Sequence, residues 1–190
     1  PIYHIILNGK IIYPQEVSVR TSEIIDNPSV PEWEKELYLF LNEWFSNSHF
    51  VLAQTSGSTG EPKTIELPKS VMIKSAERTI EYFGLKKGDR LLLNLSCQYI
   101  AGKMMIVRAI VGQMNLVTVE PSDDFEILMN ETFDFGAMVP NQVFKLLESP
   151  SGKTKLENIR NLLIGGSSIA ARLETQISRL KSRAVSTYGM

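Results

Sequence analysis

From residue 50 onward, short apolar runs alternate with segments of helical period, and this rhythm limits the fold more tightly than any other feature of the chain. The runs at residues 50–54, 64–67, 90–95, 116–119, 135–139, 159–164 and 184–187 read as strands. Apolar residues at three- and four-residue steps mark helices at 70–83, 102–110, 125–129, 142–147 and 170–180. Gly84 stands where the first of these needs a residue tolerant of the left-handed conformation. Strands and helices in this alternation build βαβ units around a mainly parallel sheet, an α/β fold. Ligands of such sheets sit beyond the carboxyl ends of the strands, so the loops there carry the functional reading.

The first 49 residues read as a separate leading unit. Ile5-Ile6-Leu7 and Ile11-Ile12-Tyr13 flank Asn8-Gly9, a pair suited to a type I′ turn, and predict a hairpin. Trp33, Leu37, Phe40, Leu41, Trp44 and Phe45 then make one apolar helix face, a core stripe, with Ser29 and Glu32 at capping-box spacing ahead of it. The expected division is therefore a hairpin and amphipathic helix at 1–49 and an α/β unit at 50–190.

Composition excludes several function classes. A formal net charge of −1 over 190 residues does not suit an electrostatic nucleic-acid binder. Arg179, Lys181 and Arg183 read as a solvated helix end. The most apolar helix, near Met104 to Val111, falls far short of the ~20 residues of a membrane span. No leader segment is visible at the start, so a cytoplasmic location is expected. Cys97 is the single cysteine, which forbids an internal disulfide and fits a reducing compartment. With no catalytic partner near it in sequence, it reads as a small bland side chain. His4 and His49 give no metal-ligand spacing, so no metal site is expected. Asp123-Asp124 reads as an acidic pair at a helix start, and 149–153 as a plain surface loop.

The strongest chemical signal is Thr55-Ser56-Gly57-Ser58-Thr59-Gly60-Glu61-Pro62-Lys63, between two strand candidates. Its hydroxyls and glycines let backbone N–H groups approach an anion, and Lys63 adds a point charge for phosphate oxygens. A Walker loop would need glycine where Pro62 stands and a helix after the lysine. Proline offers no N–H, and Thr64-Ile65-Glu66-Leu67 reads as strand, so that alternative fails.

The whole string resembles the phosphate loop of the adenylate-forming superfamily, T-S-G-[ST]-T-G-x-P-K, at every fixed position. That superfamily includes acyl-CoA synthetases, nonribosomal adenylation domains and luciferases. Leu162-Leu163-Ile164-Gly165-Gly166-Ser167 is similar to its adenine-pocket strand and turn, although a Gly-Gly after a strand is also an ordinary tight turn. Ser186-Thr187-Tyr188-Gly189-Met190 resembles the start of its Y-G-x-T-E motif. Ala137-Met138-Val139-Pro140-Asn141-Gln142 resembles the V-P-T-Q-L segment of o-succinylbenzoate–CoA ligases of menaquinone biosynthesis, with Asn141 for threonine. Gln98-Tyr99-Ile100-Ala101-Gly102 stands where those ligases carry H-[IV]-S-G, so Tyr99 replaces histidine and Ala101 serine. Packing alone is an equal explanation for Tyr99.

The resemblance implies part of the large N-terminal domain of an enzyme that uses ATP and Mg²⁺ to turn a carboxylate into an acyl-adenylate and hands it to CoA. It assigns Thr55, Ser56, Gly57, Ser58, Thr59, Gly60 and Lys63 to the phosphates, Lys63 as catalytic cation. Gly165, Gly166, Ser167, Thr187, Tyr188 and Gly189 fall to the adenylate, and Gln98, Tyr99, Ala101 and Gly102 to the acid-pocket wall. The expected partners are a small carboxylic acid, ATP and CoA. The family's ribose-binding aspartate, hinge and small C-terminal catalytic domain are expected to lie outside this stretch, which alone would then be inactive. A fatty-acid–CoA ligase, a carrier-protein-loading adenylation domain and a non-catalytic nucleotide-binding module remain the alternatives.

Overall fold

A computed structural model describes residues 3–54 and 63–187. The chain opens with the expected hairpin, β1 (Ile5–Leu7) and β2 (Lys10–Ile12), closed by Asn8 and Gly9 at φ 49° and 79°. Positive φ at both turn residues is what a type I′ turn requires. An unexpected helix follows, α1 (Pro14–Ile25), entered through reciprocal bonds: Glu16 N–H donates to the Tyr13 carbonyl and Tyr13 N–H to the Glu16 carboxylate. The Trp33-to-Phe45 stripe forms α2 (Glu32–Phe45) and is buried through Leu37, Phe40, Leu41 and Trp44. Its cap differs from the expected Ser29–Glu32 box. The helix begins after Pro31, which makes no side-chain cap, while Ser29 N–H bonds to Asn27. Glu32 and Glu34 instead face the positive helix end.

The α/β rhythm holds along the rest of the chain. β3 (Phe50–Gln54) and β4 (Thr64–Pro68) precede α3 (Lys69–Phe83), which Gly84 ends in the left-handed conformation. Then come β5 (Arg90–Leu93), α4 (Ile100–Gly112), β6 (Asn115–Thr118), β7 (Phe133–Met138), α5 (Pro140–Glu148), α6 (Gly152–Glu157), β8 (Ile159–Ile164), α7 (Ala171–Ile177) and β9 (Arg183–Ser186). The segment 125–129 is a 3-10 turn rather than an α-helix, with Asp124 accepting from the Glu126 N–H at its start. The last helix is shorter than expected. The surface loop at 149–153 turns directly into α6, where buried Lys155 pairs with Glu126 at 2.8 Å.

Seven strands form one sheet in the order β2-β1-β6-β5-β7-β8-β9, in which β2 pairs antiparallel to β1 and the other pairings are parallel. The leading hairpin thus joins the sheet edge through β1 and β6, and Ile5, Leu37 and Phe40 share a core with Leu91 and Phe135. β3 and β4 leave the rhythm and pair only with each other among named strands, antiparallel and in register from Phe50↔Pro68 to Gln54↔Thr64.

Both sheet faces are covered, which explains why its strands read as continuous apolar runs. Leu91 and Leu93 of β5 turn to the core shared with α1 to α4, and Leu92 to the core beneath α5 to α7. Helix α4 is buried at every residue from Gly102 to Ile110, Lys103 and Arg108 included. Arg183, expected at a solvated helix end, lies on β9 with its guanidinium 4.5 Å from the Tyr82 ring and 5.4 Å from that of Phe83.

Candidate functional site

The chain passes from β5 to β6 on one side and then to β7 on the other, a topological switch at β5. A crevice opens at the carboxyl ends of strands around such a point. Here its rim is pinned by buried amides. Asn94, just past β5, accepts from the Ser122 N–H at 2.9 Å and donates to the Ser122 carbonyl at 3.1 Å. Gln142 accepts from the Val139 N–H at 3.1 Å and donates to the Asn94 carbonyl at 3.3 Å, tying the end of β7 to that of β5. Gln142, quoted in the ligase-like segment, is therefore a brace for the rim.

The loop from β5 to α4 forms one wall. Ser96 Oγ donates to the Glu36 carboxylate of α2 at 2.8 Å, and the Gln98 N–H donates to Ser96 Oγ at 3.1 Å. Gln54 at the end of β3 bridges to Tyr99, so the two-stranded sheet meets this loop at the site. Opposite, Gly165 N–H bonds to the Met138 carbonyl at 3.1 Å and Thr187 N–H to the Ile164 carbonyl at 2.8 Å, aligning the ends of β7, β8 and β9. Gly166 has φ +97°, and a Cβ on Gly165 would lie 2.6 Å from Thr187 Oγ1. Two glycines let the turn pass close under whatever occupies the crevice.

Two adjoining cavities fill the space between these walls. The larger, about 480 Å³, is bounded by Ala53, Ile65 and Leu67 of the hairpin, by Val71 and Met72 of α3, and by Tyr99 and Ala101. The smaller, about 310 Å³, is bounded by Gly165, Gly166, Thr187, Ala101, Arg78 and Arg108. Ser75, Leu95, Ile100, Ala101, Met104, Val139 and Gly166 face both, so the two are lobes of one site. No aspartate or glutamate lines either lobe among the described residues.

The residues singled out in the sequence distribute as follows. Gly165, Gly166, Thr187, Tyr99 and Ala101 meet at the cavity. Ser167 is exposed just beyond it, and Gln98 is exposed on the outer side of its loop. Gly102 does not line the cavity: it packs under the Ser96 carbonyl, where a Cβ would stand 2.2 Å away. Lys63 is exposed and immediately precedes β4, whose Ile65 lines the larger lobe. A strand after the lysine again separates this loop from a Walker arrangement. Thr55, Ser56, Gly57, Ser58, Thr59 and Gly60, with Tyr188 and Gly189, lie outside the described residues. Among the described residues no three His, Cys, Asp or Glu side chains cluster to hold a metal ion. Ser75, Arg78 and Arg108 also line the cavity and were not singled out in the sequence; for Arg108 the available signal was a charge inside the apolar run 104–111.

Cys97 sits 3% exposed behind the wall, and burial pushes its thiol up to about 12. The thiolate is the reactive form, so native protein at pH 8 is expected to resist alkylation. Modification by iodoacetamide should appear only with unfolding; rapid native labelling would contradict this burial.

A doubly covered, mainly parallel sheet with the Gly165-Gly166 turn at a crevice beside its switch point defines an α/β domain of the kind that takes ligands at its strand ends. Residues 12–190 match the AMP-binding enzyme family, and the chain belongs to it. It is 24% identical over 188 residues to a 2-succinylbenzoate–CoA ligase of Bacillus cytotoxicus, covering 97% of this chain and 38% of that protein. An indoleacetate–CoA ligase of Aromatoleum aromaticum is also 24% identical, over 73% of this chain and 28% of its own length. An acyl-CoA synthetase (AMP-forming)/AMP-acid ligase II-like protein from Dyadobacter fermentans superposes with TM-score 0.78 and 32% identity, over 87% of this chain and 48% of that one. The chain thus spans well under half the length of the curated relatives. Its fold matches the N-terminal domain of adenylate-forming enzymes.

Proposed function

We propose that the protein carrying this chain is an ATP-dependent acid–CoA ligase, with 2-succinylbenzoate as its acid. The observation that carries the reading is the two-lobed cavity, which puts the Gly165-Gly166 turn and Thr187 beside a largely apolar chamber wide enough for a small organic acid. In the proposed reaction a carboxylate oxygen of the acid attacks the α-phosphorus of ATP and pyrophosphate leaves. The sulfur of CoA then attacks the acyl carbon of the adenylate, AMP leaves, and the thiol proton passes to solvent. Most of the barrier to the first step is charge brought together, so fixed donors and cations are what the protein contributes.

Thr55, Ser56, Gly57, Ser58, Thr59, Gly60 and Lys63 would hold the phosphates, and Gly165, Gly166, Ser167, Thr187, Tyr188 and Gly189 the adenylate. Tyr99 and Ala101 would line the acid, while Gln98 and Gly102 shape the loop that presents them. The relative acting on 2-succinylbenzoate that covers 97% of the chain favours that acid. A different aryl acid is the second reading, favoured by Tyr99 and Ala101 where those ligases carry histidine and serine. The measurement is ATP–pyrophosphate exchange by the protein, with 2-succinylbenzoate, indoleacetate and a medium-chain fatty acid in parallel. Exchange stimulated most by 2-succinylbenzoate is expected. Stronger stimulation by another acid would move the assignment to it, and exchange with none would remove the ligase reading.

A further inference from the structure

Helix α2 belongs to the leading unit, yet two of its glutamates reach the two segments that bound the cavity. Glu36 accepts from Ser96 Oγ at 2.8 Å, which holds the loop between β5 and α4. Glu43 accepts from the backbone N–H of Leu52 in β3 at 2.7 Å. The two lie two turns apart on one helix face, about 10 Å at a 1.5 Å rise per residue. Phe40 stands between them at helical spacing, and the ammonium of buried Lys103 lies 4.7 Å from its ring. Burial lowers the pKa of that ammonium, and Glu43 and Glu36 both oppose the shift. The two carboxylates thus share one buried cation, and each directs an oxygen at a different wall of the site.

Glu43 holds a strand that has little else beside it. β3 and β4 form a two-stranded sheet, which is marginal by itself, so its place depends on contacts at its edges. Backbone groups two residues apart in a strand point to the same edge. Leu52 and Gln54 therefore share the edge away from β4: the first meets the Glu43 carboxylate, and the second bridges to Tyr99. The far end has its own anchors. There Lys69 N–H donates to the His49 carbonyl at 2.9 Å and Lys69 Nζ to the Ser46 carbonyl at 3.0 Å. At the cavity end Gln54 pairs with Thr64, the neighbour of Lys63, so the place of Lys63 follows the place of β3. An ionised acceptor makes a shorter and stronger bond to such an edge N–H than a neutral one.

We infer that α2 sets the geometry of the site through two positioning residues, Glu43 for the hairpin that carries Lys63 and Glu36 for the loop that presents Tyr99 and Ala101. Neither carboxylate lines the cavity, so each acts through what it holds. The kinetic effects rest on the proposed ligase reaction, while the two anchors themselves are properties of the fold. In that reaction Lys63 serves the departing pyrophosphate, so a hairpin displaced by loss of Glu43 weakens the transition state and spares acid binding. Misplacement by about 1 Å, caused far from the chemistry, is enough for a large loss of rate. Loss of Glu36 instead frees the wall that receives the acid, and this is read in the KM for the acid.

The test compares wild type, Glu43→Ala, Glu43→Gln and Glu36→Ala in ATP–pyrophosphate exchange, using whichever of the three acids above stimulates it most. Melting temperatures and amide hydrogen exchange are measured alongside. Glu43→Ala is expected to lower kcat about tenfold and to leave the KM for the acid within about twofold of wild type. Glu43→Gln keeps an acceptor oxygen and should recover most of that loss. Glu36→Ala is expected to raise the KM for the acid about tenfold, with kcat at saturating acid near that of wild type. If both alanine variants lower kcat and raise KM together, in step with their melting temperatures, α2 is only a support and the inference is overturned. It is equally overturned if Glu43→Ala turns over like wild type, or if Glu43→Gln is as impaired as Glu43→Ala. Hydrogen exchange separates this inference from the ligase reading. The Leu52 amide should exchange about tenfold faster in Glu43→Ala alone, and the Gln98 amide, bonded to Ser96 Oγ, in Glu36→Ala alone. That pattern without pyrophosphate exchange for any acid removes the ligase and leaves the two anchors standing; pyrophosphate exchange without that pattern does the reverse.

Discussion

Gly102→Ala is expected to lower the melting temperature by roughly 4–8 °C and to raise the KM for the acid at least tenfold. Two effects of opposite sign compete. Alanine in place of glycine within a helix contributes about 1 kcal/mol of stability. The new Cβ, however, would lie 2.2 Å from the Ser96 carbonyl oxygen and 2.8 Å from its carbon, both backbone atoms with no freedom to swing aside. Overpacking of this kind costs about 3 kcal/mol, so the clash prevails by about 2 kcal/mol. For a domain of this size each kcal/mol corresponds to about 2–4 °C. Relief must come from shifting the loop that Ser96 anchors to Glu36, and that loop presents Tyr99 and Ala101 to the cavity. Gly112→Ala, at the other end of α4, is the control. There the new Cβ would meet the side chains of Met114 and Ile80, which can move. Gly112→Ala should change stability by about 1 kcal/mol or less. Equal melting temperatures for Gly102→Ala and wild type would show that this helix start does not need glycine.

That glycine also marks where sequence reading stops. Gly102 was expected in the acid-pocket wall, and it acts one layer behind. Period and punctuation were enough for the strands of the sheet, the Asn8-Gly9 turn and the Gly84 cap, because each follows from local sterics. They were not enough for α1, where Val17 and Thr21 are the buried residues of a twelve-residue helix and no apolar stripe forms. They also missed α6, six residues held by the non-local pairing of Lys155 with Glu126. Nothing local distinguishes β3 and β4, which leave the main sheet, from the strands that stay in it. At the cavity, Gly165, Gly166, Thr187, Tyr99 and Ala101 were legible because they occupy strand ends, the loops after them or, for Ala101, the first turn of the helix that follows, where motifs are contiguous. Arg108 was not. A helix buried on all sides has no polar face, so its sequence does not mark the side turned to a cavity.

Lys63→Ala is expected to lower kcat for adenylate formation about 100-fold, some 3 kcal/mol of transition-state stabilisation, with little change in the KM for the acid. Lys63 directly precedes β4, and the hairpin formed by β3 and β4 borders the large lobe through Ala53 and Ile65. In the proposed reaction negative charge grows on the departing pyrophosphate as its bond to the α-phosphorus breaks. A lysine held at the phosphates therefore interacts more strongly in the transition state than with bound ATP, and its loss appears in kcat. In the proposed reaction the acid would occupy the cavity lobes lined by the hairpin, so its own affinity is not at stake. A lysine that merely supports the hairpin predicts the opposite pattern, a lower melting temperature with near-normal kinetics once folded. Single-turnover adenylate formation at saturating ATP, measured beside melting temperatures, separates the two. Equal single-turnover rates in wild type and Lys63→Ala would remove this residue from the reaction and leave the backbone amides of the Thr55-to-Gly60 motif as the remaining candidates for holding the phosphates.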